Sequence, residues 1–78
     1  MLDELRSYIL EDKFKITILI DKVDIVNYSE IDHFDDREII VRYSKGVVII
    51  KGENLSIAKL LNEEILIIGK IKKVEFDV

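Results

Sequence analysis

The spacing of apolar residues changes once along the chain. In residues 2–12, Leu2, Leu5, Tyr8 and Ile9 recur at helical intervals, and Asp3 and Glu4 stand where acidic side chains complement the positive end of a helix. The spacing predicts one short amphipathic helix within residues 1–12. From Phe14 the period becomes two: Phe14, Ile16, Ile18 and Ile20 alternate with Lys15, Thr17 and Leu19, as in a half-buried strand. Asp21 and Lys22 are expected to turn the chain into a second strand over residues 23–28. Residues 30–38 place Ile31 and Phe34 among aspartates, which favour turns by bonding nearby backbone, so a strand end and then a turn at Asp35 and Asp36 follow.

The strongest local signal is a hairpin of residues 38–44 and 47–51. Lys45 and Gly46 separate its two strand-like runs, and Gly46 can take the positive φ of a tight turn. Gly52 to Asn54 then reads as a turn, residues 55–60 as a strand, residues 61–63 as a turn, and residues 65–76 as one long or broken strand with a bulge at Gly69. Residues 13–78 are thus expected to form a single all-β domain, small and sandwich-like, of six to seven strands, with the short helix preceding it. A faint internal echo accompanies this pattern, in which Val48, Ile49, Ile50 and Gly52 are answered by Leu66, Ile67, Ile68 and Gly69.

Two runs are apolar at every position: Val47, Val48, Ile49, Ile50, and Ile65, Leu66, Ile67, Ile68. In a thin domain one face of each strand meets water, so such runs call for cover on the second face. The N-terminal helix can supply part of it. A second copy of the chain is the natural candidate for the rest, which predicts a homodimer or higher homo-oligomer. Both Ile49 and Ile67 are read as burial positions.

Composition sharpens this picture. Isoleucine and valine make up 22 of the 78 residues, a β-branched excess that favours pleated strands over helices. With no cysteine, neither disulfides nor thiolate metal sites can reinforce a core this small. With no proline, strand edges need protection by charge, a role suited to Lys70, Lys72 and Lys73. A net charge of −4 opposes capture of nucleic acid or anionic lipid. No apolar run approaches the length of a membrane span, and no leader-like pattern opens the chain, so a soluble cytoplasmic protein without membrane insertion is expected.

Candidate chemistry is sparse. His33 is the only histidine, and nothing in the sequence identifies a nucleophile or an orienting partner for it. Ser7, Ser29, Ser44 and Ser56 lie outside any glycine-flanked nucleophile elbow. Gly46, Gly52 and Gly69 are too far apart to cradle a phosphate at a helix start. Glu30, Asp32, Asp35, Asp36 and Glu38 form an acidic cluster that could hold a hard cation weakly, but without the loop glycine or spacing of an EF-hand; turn chemistry on a solvated face is the simpler account. Tyr8, Tyr28, Tyr43, Phe14, Phe34 and Phe76 could be imagined as a base-stacking platform, yet the surrounding charge is acidic and core packing explains them better. No catalytic, cofactor-binding or metal-binding residue is assigned.

Three segments in order carry a resemblance to a known family. They are Ile25, Val26, Asn27 and Tyr28 followed by Ile31, His33, Phe34, Asp36, Glu38 and Ile39; the glycine-started stretch of residues 45–57; and residues 64–71 with Val74 and Phe76. Over residues 16–76 the chain resembles the YabP/YqfC-type proteins of bacterial spore formation, and the YqfC-like branch most closely, with Val26 departing from an acidic residue expected before the asparagine. The resemblance implies a β-sandwich-like fold and a non-catalytic structural or interaction role in the mother cell during endospore formation or spore-envelope assembly, with a sporulation protein as partner. It brings no catalytic residues and no cofactor. A small ligand-binding or regulatory β-domain is the alternative, and a metal-dependent enzyme built on the acidic turn is the third.

Overall fold

Strict alternation of buried and solvent-facing side chains along β-branched runs builds the domain, and it recurs on four strands. The computed structural model describes residues 13–78; the helix expected over residues 2–12 lies outside them. Six strands form one antiparallel sheet: β1 (Lys15–Ile18), β2 (Lys22–Val26), β3 (Glu30–Phe34), β4 (Glu38–Tyr43), β5 (Gly46–Leu60) and β6 (Glu64–Asp77), in the spatial order β1-β2-β6-β5-β4-β3. All-β architecture and the strand count agree with the sequence pattern.

The long hairpin of β5 and β6 organises everything else. The first half of β5 pairs with β4, and the first half of β6 pairs with β2, so each long strand belongs to two groups of strands. The register between β5 and β6 slips after Lys51, after Glu53 and after Ile57. Asn54 adopts φ 55° and Gly69 φ 139°, and the ladder bends between these bulges. The sheet consequently folds over on itself. Its two short dimensions are both 22 Å, whereas six strands spaced about 4.8 Å apart in one flat layer would be wide and thin.

The concave faces share one core of Val23, Ile25, Ile39, Val41, Val48, Ile50, Leu55, Ile65 and Ile67. Cross-strand registration sets it: Val23 opposes Ile67 and Ile25 opposes Ile65 in one half, while Ile39 opposes Ile50 and Val41 opposes Val48 in the other. Each matched pair fills the space left by its neighbour on the same face. Phe14, Ile16, Tyr28, Ile31, Ile57, Ile71 and Val74 pack around this cluster.

The halves are copies of one plan. A hairpin (β1-β2 or β3-β4) lies beside a strand carrying two buried residues and then a glycine: Ile65, Ile67, Gly69 in one half and Val48, Ile50, Gly52 in the other. This is the physical content of the internal echo, with a change of register. The echo aligned Val48 with Leu66, but the buried position equivalent to Val48 is Ile65. Each bend is also tied to the hairpin turn beside it. The Gly69 N–H donates to the Asp21 carbonyl at 3.1 Å, and the Gly52 and Leu55 N–H groups donate to the carbonyls of Arg37 and Asp36, both at 2.9 Å.

Four local expectations need correction. Gly52 to Asn54 is a bulge inside a continuous β5, because the ladder to β6 resumes beyond it. The first hairpin turns at Leu19, Ile20 and Asp21, one step earlier than expected, closed by the Leu19 N–H donating to the Lys22 carbonyl at 2.8 Å. Turn geometry there outweighs the apolar alternation, which leaves Ile20 90% exposed. Gly46 has the expected positive φ, 155°, but as the first residue of β5 after a turn at Ser44 and Lys45; an added Cβ would also lie 2.2 Å from the Asp77 carbonyl oxygen, so close approach of β6 demands a glycine there. Finally, Ile49 faces outward and is only half-buried, whereas Ile67 is fully buried.

Candidate functional site

Residues 30–38 gather acidic side chains without making them converge. Asp32 is held by the Arg42 guanidinium on the adjoining strand, with Nη2 donating at 2.6 Å and Nε at 3.3 Å. Asp35 closes the β3-β4 turn: its Oδ1 accepts from the N–H groups of Arg37 and Glu38 at 2.8 and 2.7 Å, while Oδ2 lies 2.8 Å from His33 Nε2. Those two backbone donors and the imidazole hold the Asp35 carboxyl below its ordinary range. His33 thus flanks a turn, and its short contact serves a carboxylate already committed to backbone. Glu38 reaches toward Lys51 at 3.9 Å. Among the described residues no three histidine or acidic side chains come together as a metal-ligand group.

The three remaining described serines stand apart: Ser29 follows β2, Ser44 is in the β4-β5 turn and Ser56 is on β5; Ser7 lies outside the described residues. The aromatic residues also separate. Phe14 stacks on Tyr43 with ring centroids 4.0 Å apart and planes 17° from parallel. Tyr28 packs against the core and donates its hydroxyl proton to the Leu61 carbonyl at 2.8 Å. Phe34 and Phe76 are exposed on different strands, and Tyr8 is outside the described residues.

Among the concavities of the described residues, two were announced by no sequence motif. The first is polar, lined by Asp36, Arg37, Gly52, Glu53, Asn54 and Lys72 where the β3-β4 turn meets the bend of β5. Glu53 accepts from Lys72 Nζ at 2.8 Å with Lys70 Nζ at 3.8 Å, and these partners lower its pKa, the Lys72 hydrogen bond first. A carboxylate so held is a poor proton acceptor, and its walls offer ionic recognition with neither hydroxyl nucleophile nor imidazole. Three elements contribute to this crevice, which is why spacing along the chain could not reveal it. The lysines expected to guard an edge do stand on one: the second half of β6 pairs only with β5, and Lys70, Lys72 and Lys73 line it with Glu53 and Glu75 as partners.

The second concavity is apolar. Ile18 at the end of β1 and Leu19 and Ile20 of the β1-β2 turn line it together with Ile71, Val74, Lys72 and Lys73 of β6. On the outer surface near β2, burial and a hydrogen bond with Glu64 raise the Asp24 carboxyl above its usual value, partly opposed by Lys59 and Lys15.

Taken with the bent long hairpin and the turn-tied glycines, these features define a small antiparallel β-domain of surfaces and seams. The YabP family model matches residues 11–78, which covers the whole described domain. The chain belongs to the YabP family. No curated protein matches it. Among the described residues no helix is long and apolar enough to cross a membrane.

Proposed function

We propose that this protein is a sporulation-associated, non-catalytic structural or interaction protein, acting in the cytoplasm of the mother cell during endospore formation or assembly of the spore envelope. The observation that carries this reading is the family match over residues 11–78. The local geometry supports it: Asp35 accepts from backbone N–H groups of its turn, His33 contacts that same carboxylate, and Asp32 is held across the strand pair by Arg42. In this reading the protein presents a β-sheet surface to a sporulation protein and to a second copy of itself. Apolar side chains on the outward face support the latter, with Ile40, Ile49 and Leu66 half-buried and Ile68 39% exposed. Self-association through them is a proposal in its own right.

A transcription time course through growth and sporulation, followed by pull-down from sporulating cells, tests the assignment. Expression confined to sporulation and recovery of a sporulation protein are expected. Constitutive expression in growing cells, with a metabolic enzyme or a small ligand co-purifying, would move the assignment to a ligand-binding or regulatory domain.

A further inference from the structure

β6 parts from β2 after Ile68 and runs on with β5 on one side only, so over residues 73–77 every second residue directs its N–H and C=O to an open edge. Apolar side chains crowd that edge. Val74 opposes the buried Ile50 and Phe76 opposes the buried Val48, which puts both on the core side, yet Phe76 is 49% exposed with no strand flanking it. Ile71 packs on that side too and lines the apolar opening with Ile18, Leu19 and Ile20. We infer that this edge pairs antiparallel with the same edge of a second copy, about a two-fold axis at Val74. The contact goes beyond the outward-face association proposed above and uses different residues.

The order of side chains along the edge names both the occupant and the register. Opposed residues of an antiparallel pair share a face, so a two-fold pairing within residues 73–77 must centre on a residue. Centred on Lys73, Glu75 or Phe76, it sets Lys73 against Lys73, Glu75 against Glu75, or Glu75 against Asp77, all like charges. Centred on Val74, it sets Lys73 against the partner's Glu75 on both sides of the axis. Lys72 is an extra residue in the ladder to β5, where Lys73 opposes Lys51 and Ile71 opposes Gly52. The same bulge brings Ile71 opposite the partner's Phe76 and seats that ring at the opening beside residues 18–20. Within the chain Lys73 and Lys51 already lie 3.4 and 3.6 Å from Glu75, so the charges select the register and the apolar side chains supply the attraction. Residues 71–76 span roughly 20 Å, a small contact beside the roughly 1,200–2,000 Å² of a standard interface, so association at about 0.1 mM and above is expected.

Sedimentation equilibrium and amide chemical shifts test the pairing on the full chain carrying Ile68→Asp, which disables the outward face, between about 0.02 and about 0.5 mM. A dimer that grows with concentration is expected, with shifts at residues 18–20 and 71–77. A monomer throughout, or shifts at Ile40 and Ile49 instead, overturns the pairing, whereas outward-face association is judged separately by the parent's dimer at micromolar concentration. In the same background Glu75→Lys and Lys73→Glu each set like charges across the axis, so each alone should lose at least about tenfold in association. An equimolar mixture of the two should recover it, because opposite charges then meet at both crossings. Folded single variants that associate like the parent, or a mixture that stays monomeric, overturn it. Should either variant lose its fold, Phe76→Ser, at a half-exposed position, must abolish the concentration-dependent shifts at residues 18–20, and their persistence overturns the pairing equally.

Discussion

Replacing Gly52 by alanine sets two effects against each other, and their magnitudes decide the outcome. Gly52 has no positive φ, so alanine incurs no backbone strain, and loss of chain entropy in the unfolded state alone would stabilise by about 0.4–1 kcal/mol. The new Cβ, however, would lie 2.0 Å from the Lys70 carbonyl oxygen and 3.1 Å from Leu55 Cδ2. The carbonyl is backbone and cannot rotate aside, so β6 must retreat by roughly 1 Å to restore contact distance. Overpacking of this kind costs about 1–3 kcal/mol, and loosening the ladder around Glu53 and Lys70 adds about 1 kcal/mol per hydrogen bond weakened. The net expectation is a loss of about 2 kcal/mol, or roughly 10 °C in Tm for a domain of this size. Thermal and urea denaturation followed by circular dichroism reads this directly. A midpoint equal to or above the parent would refute the reasoning, since it would mean that β6 does not cross against Gly52 and that the sheet does not bend there.

Other expectations follow from the same geometry. Ile67→Ala should cost about 2–5 kcal/mol as a fully buried truncation, whereas Ile49→Ala, on the outer face, should cost clearly less; equal urea midpoints would contradict the assigned faces. Ile68→Asp should leave the fold intact and abolish any dimer seen by sedimentation at micromolar concentration, and a dimer that survives would exclude this surface. For pH, the Asp35, Glu53 and Glu75 carboxyls have folded-state pKa values below their ordinary ones. Their contribution is therefore present above the ordinary carboxylate range and lost as pH falls through the lowered values, more weakly in high salt. Asp24 is raised, so its penalty appears as pH rises and is relieved on protonation. Asp24→Asn should accordingly gain stability relative to the parent between about pH 4 and pH 7, and a parallel pair of pH profiles would show that Asp24 is not perturbed.

The sequence pattern reached the strands within residues 23–28 and 38–44 because strand-forming runs are a local property. It also reached the turn at Asp35, where one side chain and two nearby N–H groups suffice. It misjudged positions governed by distant contacts. Ile20 reads as a strand residue until the turn closed by Leu19 and Lys22 takes it out of the ladder. Gly52 to Asn54 looks like a turn because glycine and asparagine serve bulges and turns alike, and only pairing with β6 separates them. Doubly apolar runs do not reveal which positions face in: Val48 and Ile50 are buried and Val47 and Ile49 are not. The polar crevice was invisible because Asp36, Glu53 and Lys72 meet only after β5 and β6 have bent.

The assignment to spore formation rests on family membership, and a deletion strain of an endospore-forming host tests it most directly, through its yield of heat-resistant spores. The account predicts normal vegetative growth and a reduced yield, restored by the parent gene and by His33→Ala but not by Ile67→Asp, which places a charge in the core. A deletion that sporulates at the parental yield would contradict the assignment, and failure of a folded, stable His33→Ala protein to restore it would contradict the non-catalytic role.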